Sequence, residues 1–159
     1  NSSTPTALIL TRQDVRDLPS PTGSRYEEAL GTRRGGYVVL DSPSAHVTLV
    51  GNGSEVSLLC DVATLLEAEG IPARVVSVPS IGLFLDQDEE YRQSVIPAST
   101  PVFGLTAGLP STLREVVGSR AEIFGLDRFG ASAPYKVLDE KFGFTPAAVL
   151  EKVRAFIGE

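Results

Sequence analysis

Apolar residues fall in two patterns along this chain: short continuous runs, and longer stretches in which they recur every three or four positions. The clearest pairing is at the centre. Val47, Leu49 and Val50 form a run closed by Gly51 and Gly53, and Val56, Leu59, Val62, Ala63 and Leu66 then recur at helical spacing as far as Gly70 and Pro72. The run predicts a parallel strand covered on both faces, and the stripe predicts an amphipathic helix laid on the sheet. Asn52 is the expected helix cap, with Glu55 three residues on reaching back to the cap amide and facing the positive helix end. Gly70 and Pro72 stop the helix. With Ala73-Arg74-Val75-Val76-Ser77-Val78 as the next strand, the unit is the seed of an α/β domain with a parallel sheet.

The same reading extends in both directions. Ala7 to Leu10 is a continuous apolar run of the buried-strand type, but residues 16–35 hold Pro19, Pro21, Gly23, Gly31 and Gly35 among charges, which is linker composition. A strand cut off by a linker is expected to serve a preceding domain and to be poorly covered here. Gly36 to Leu40 predicts an edge or antiparallel strand, because no helix separates it from Val47. Residues 80–96 turn helical in two pieces, Pro101 to Thr106 is a third strand of the main sheet, Ser111 to Val117 a short helix, and Glu122 to Leu126 a fourth strand. Pro134 suits the first position of a helix running to Phe142, and Thr145-Pro146 opens a last helix striped by Val149, Val153, Phe156 and Ile157.

Composition changes this picture in three ways. At 159 residues and 42% apolar, the chain can bury roughly 70% of its unfolded surface, enough for one core. A net charge of -6 with no basic stripe argues against nucleic-acid binding. One cysteine and one histidine leave no disulfide framework and no metal set, and no apolar run approaches a membrane span, so a soluble intracellular protein is expected. The sequence contains no methionine, which leads to the expectation that it is a piece of a longer protein.

Few residues carry chemistry. Gly51-Asn52-Gly53 starts like a dinucleotide fingerprint, but Val56 stands at the third glycine position and Ser77-Val78 ends the second strand without an acid, so turn geometry is the better explanation. His46 has no partner close in sequence, Cys60 sits beside the apolar stripe as a small core residue, and Ser54 and Ser132 lack an activating histidine. The acidic run Asp86 to Glu90 reads as a solvated helix start. Arg12 is different. It follows a buried-type strand, where ligands of open α/β sheets gather, and its guanidinium fork suits a phosphate or carboxylate, with an inter-domain salt bridge as the other reading.

Several blocks then point the same way: Pro5-Thr6-Ala7-Leu8-Ile9-Leu10-Thr11-Arg12-Gln13, Gly35-Gly36-Tyr37-Val38, Gly53-Ser54-Glu55-Val56, Arg74-Val75-Val76-Ser77-Val78-Pro79-Ser80, Gln87 to Val95, and above all Asp127-Arg128-Phe129-Gly130-Ala131-Ser132-Ala133-Pro134 with Glu140 to Thr145. In order and across nearly the whole chain, they resemble the carboxyl-terminal part of the transketolase family. The resemblance implies a three-layer α/β fold with a mixed five-stranded sheet, mostly parallel with one antiparallel strand. It implies residues 1–15 as the last strand of a pyrimidine-binding domain, 16–34 as a linker and 35–159 as the C-terminal domain.

It further implies a cytoplasmic, homodimeric transferase of the pentose phosphate pathway, moving a two-carbon ketol unit between sugar phosphates with thiamine diphosphate and Mg2+ or Ca2+. The residues that hold that cofactor and metal lie in other domains, so this piece is expected to bind neither and to be silent alone. One functional residue carries over, the arginine of the Ser/Thr-Arg-Gln motif that clamps the substrate phosphate, here Arg12. Leu105-Thr106-Ala107-Gly108 departs from the family, which usually has an acidic residue before Ala-Gly, and Asn52 stands where Thr is common. A relative such as dihydroxyacetone synthase and a non-catalytic assembly module are the alternatives.

Overall fold

The computed structural model describes residues 5–11, 13–21 and 23–158. Five strands form one sheet: β1 (Tyr37–Leu40), β2 (Val47–Gly51), β3 (Ala73–Ser77), β4 (Val102–Leu105) and β5 (Glu122–Phe124). Their spatial order is β1-β3-β2-β4-β5. β1 runs antiparallel to β3 at the edge, and all other pairs are parallel, with Val47 opposite Ala73 and Thr48 opposite Val102. The helices are α1 (Arg25–Ala29), α2 (Glu55–Ala68), α3 (Ile81–Leu85), α4 (Glu89–Val95), α5 (Arg114–Val117), α6 (Tyr135–Phe142) and α7 (Pro146–Ile157).

Alternation along the strands makes two cores from one sheet. Val47 and Leu49 of β2 face α2 and α7, where they pack with Val56, Leu59, Val62, Leu66, Phe103, Val149 and Val153. Val50 points to the other face, joining Val76, Phe84, Val95 and Val117 from β3 and the three short helices. Helices on both faces give three layers, the expected mixed sheet with one antiparallel strand. Sequence and structure agree at the last helix, where Thr145 caps α7 and Pro146 is its first residue.

Arg74 ties β3 to the helices behind it. Its guanidinium donates to Asp41 Oδ1 at 2.9 Å and to the Ser94 carbonyl at 2.9 Å, so a mostly buried charge is met by a carboxylate and by the C-terminal carbonyls of α4.

Four local expectations need correction. α2 begins at Glu55 with Ser54 in the cap position, and Asn52 does not cap it. The cause is Gly53, whose φ of 61° inserts a left-handed turn residue between Asn52 and the helix, leaving the Asn52 Oδ1 buried with no hydrogen-bond partner. Within the expected linker, Ser24 caps α1 by accepting from the Glu27 amide, and a 3-10 turn, Leu30–Arg34, follows. Ser24-x-x-Glu27 is a capping sequence that the surrounding prolines and glycines overshadow. Pro134 is the cap of α6 rather than its first residue. Residues 5–11 form no strand, and Leu8, Ile9 and Leu10 are 80–96% exposed.

The joint between that helical turn and the sheet depends on glycine. Gly35 has φ 84°, and a Cβ there would overlap the backbone of Ser80 and Phe84. The approach lets the Ser80 amide donate to the Gly35 carbonyl at 3.0 Å and the Tyr91 hydroxyl donate to the Gly36 carbonyl at 2.7 Å. Arg34 then stacks 3.2 Å from the Tyr91 ring centre. Gly35→Ala should therefore destabilise the chain by at least ~1–2 kcal/mol from backbone strain alone. Chemical denaturation checks this; a midpoint equal to wild type would mean that the joint is not under constraint.

Candidate functional site

The strand order contains one reversal. β2 leads through α2 to β3 on one side, and β3 then crosses back to β4 on the other, so the crevice between the carboxyl ends of β2 and β4 is the topological switch point where open sheets bind ligands. The side chain that spans it is Glu55. As the first residue of α2 it sits too early to reach back to a cap amide. Its Oε1 accepts from the Ser54 hydroxyl at 2.7 Å, and its Oε2 accepts from the Ala107 amide, just beyond β4, at 3.2 Å.

Around this carboxyl lies a cavity of about 650 Å³. α2 supplies Ser57, Leu58 and Asp61; α6 supplies Tyr135, Leu138, Asp139 and Phe142; the strand ends supply Ala107 and Leu126. Thr11 and the segment from Gln13 to Arg16 close one side. It is latched there by Arg16, which donates to the Ser57 hydroxyl at 2.8 Å, to the Ser57 carbonyl at 3.1 Å, and pairs with Asp61. α6 buries no residue completely, since its inner face is turned to the cavity instead of to a core.

Burial pushes the Glu55 carboxyl above its ordinary value. The Ser54 hydroxyl and Ala107 amide oppose the shift, and the charge of Asp139 adds to it. Asp139 is also shifted up by burial. A carboxylate at the start of α2 occupies the place that a phosphate would take at a helix N-terminus. In the two-glycine turn before it, Gly51 is held close to Leu59 and Gly53 has a φ of 61°, so the turn itself accounts for both glycines.

Arg12, the one site residue expected from the sequence, lies outside the described residues; its neighbours Thr11 and Gln13 line the cavity. Of the other weighed residues, Ser54 lines the crevice through its hydrogen bond to Glu55, and His46, Cys60 and Asp88 do not. His46 stands at the start of β2, its amide donating to the Pro72 carbonyl, and Cys60 is buried, its thiol pushed up to about 11 by burial. Asp88 caps α4 by accepting from the Tyr91 amide at 2.7 Å, as a helix start should. Among the described residues no group of three or more His, Cys, Asp or Glu is arranged to hold a metal, and no helix is long and apolar enough to cross a membrane. Sequence reasoning missed Glu55 as a site residue because it read as a capping acid, and it gave Asp139 no role because nothing in the local pattern of its helix sets that residue apart.

Comparison with known proteins places the chain. Residues 35–145 match the family described as the transketolase-like TK C-terminal domain. The chain belongs to the transketolase C-terminal domain family. The plasmid transketolase of Cupriavidus necator is 40% identical over 153 residues, which is 96% of this chain and 22% of that protein. The transketolase of Pichia stipitis, solved in complex with sedoheptulose-7-phosphate, superposes with a TM-score of 0.77 at 35% identity, over 88% of this chain and 20% of the other. A split-gene transketolase, described as an inactive β4 tetramer, superposes with a TM-score of 0.68 at 26% identity, over 92% of this chain and 48% of its own. The chain thus spans about a fifth of the length of the curated relatives it matches. The match begins at Gly35, the glycine on which the domain's first joint turns.

The raised Glu55 value makes a prediction about this transketolase C-terminal domain. A carboxyl whose folded-state pKa lies above its unfolded value of 4.5 contributes fully below that value, and the contribution is lost as pH rises through the folded-state pKa. Glu55→Gln keeps the shape and removes the ionisation. It should raise the melting temperature at pH 7.5 and lose that advantage at pH 4. A variant less stable than wild type at pH 7.5 would show that the carboxylate charge at the helix start outweighs its desolvation.

Proposed function

We propose that this chain is the carboxyl-terminal portion of a transketolase that transfers a two-carbon ketol unit from a ketose phosphate to an aldose phosphate in the pentose phosphate pathway. The observation that carries the reading is the likeness to transketolases over nearly the whole chain, at 40% identity, rather than over an isolated motif. The relative solved with sedoheptulose-7-phosphate supports sugar phosphates as the substrate class. The parent is then a cytoplasmic homodimer.

Thiamine diphosphate, with Mg2+ or Ca2+, supplies the carbanion chemistry of that reaction when bound. The crevice of this chain does not fit such a group. Glu55 fills the helix start that a diphosphate would need, Asp139 lines the same cavity, and Arg16 is committed to Ser57 and Asp61. The reading therefore assigns cofactor and metal to the rest of the longer protein. The role left to this chain is to carry Arg12, whose guanidinium clamps the substrate phosphate. It also makes residues 1–15 the last strand of the preceding domain, which accounts for the exposed run Leu8-Ile9-Leu10 as an apolar surface made to be covered.

A coupled assay with xylulose 5-phosphate and ribose 5-phosphate tests this. The chain alone should show no turnover with cofactor and magnesium supplied, in keeping with the inactive tetramer of the split-gene relative. In the full-length parent, Arg12→Ala should lower kcat/KM about ten- to a hundredfold, chiefly through KM, by removing one charge-assisted phosphate contact. Turnover by the chain alone, or an unchanged variant, would overturn the respective assignment.

A further inference from the structure

The cavity at the switch point has no part in ketol transfer as proposed above, yet it has the make-up of a binding site. Its volume of about 650 Å³ lies within the range of roughly 300–1,000 Å³ that holds small molecules. Its position beside the start of α2 and the carboxyl ends of β4 and β5 is set by the sheet. Its walls are mixed in one particular way: Leu58, Leu126, Leu138, Phe142 and Phe144 form an apolar surface, and among the described residues the charged groups are Asp14, Glu55, Asp61 and Asp139 against Arg16.

That balance decides the sign of the ligand. Arg16 is spent on Asp61, and among the described residues Glu55 and Asp139 carry no ion pair. Both are partly removed from water, whereas Asp14 is exposed, and a partly buried carboxyl lacking a counter-charge favours an incoming cation. A phosphate or carboxylate ligand would meet repulsion from them and would find the α2 N-terminus already filled by Glu55. A bare divalent metal is also a poor fit, since no three of these groups converge on one point. The ligand that suits both halves of the wall carries its positive charge on an aromatic or aliphatic body. Phe142 already takes a cation in this way on its ring, with the Arg128 guanidinium carbon 5.6 Å from its centre.

We propose that this crevice binds a small organic cation, its ammonium or guanidinium held by Glu55 and Asp139 and its apolar body lying against Leu138, Phe142 and Phe144. The residues named in this proposal all lie in the C-terminal domain, and the proposal does not depend on the ketol-transfer reading.

Three probes of nearly equal shape separate charge from apolar contact: tryptamine, the neutral tryptophol and the anionic indole-3-acetate. By isothermal titration against the full chain at pH 7.5, tryptamine should bind, tryptophol about tenfold or more weakly, and indole-3-acetate not measurably. Glu55→Gln and Asp139→Asn, each checked for a cooperative thermal melt, should bring tryptamine down towards the tryptophol level while leaving tryptophol binding unchanged. Equal affinity for the three probes, no tryptamine binding at millimolar concentration, or wild-type tryptamine affinity in both folded variants would overturn the proposal.

Discussion

β2 is buried at all five of its positions, and the rest of the domain answers to that constraint. A strand so placed must be paired at both edges and covered on both faces, because each unpaired amide and each exposed valine would cost free energy. β3 and β4 supply the edges, α2 and α7 one face, and α3, α4 and α5 the other. Even its one polar side chain, Thr48, is fully buried and bonded to Thr100.

The same placement creates the crevice. A central strand whose neighbours are reached by crossovers to opposite sides must leave a gap at its carboxyl end, and here Glu55 bridges that gap from α2 to the loop after β4. The bridge stabilises the junction through two hydrogen bonds and destabilises it through the partial burial of a charge. Position and electrostatics thus come from one residue. Its environment sets the site apart from the phosphate sites that similar sheets build at similar places.

Most of the fold was legible in the sequence because the burial of each strand is written in its own residues. Val47 to Val50 read as a central strand and Gly36 to Leu40 as an antiparallel edge, and both are so. The cap of α2 was misread because a single left-handed Gly53 shifts the helix start by two residues, and nothing in the local pattern distinguishes that from a cap at Asn52. The site was less legible than the fold. Glu55 and Ala107 are 52 positions apart, and Glu55 and Asp139 further still; the sheet topology brings them to one cavity, and composition along the chain cannot show that. Arg12 was singled out by its place after an apolar run, and its phosphate role came from family resemblance; neither signal carries geometry.

β2 and its two covering layers act as one cooperative unit, and native-state hydrogen exchange tests that most directly. The amides of β2, β3 and β4 and of Leu59 to Leu66 in α2 should share the highest protection and exchange through global unfolding, while residues 5–11 exchange with no measurable protection. If β2 opened separately and faster than the helices that cover it, or if residues 5–11 proved as protected as the sheet, the strand would not be the element on which this structure depends.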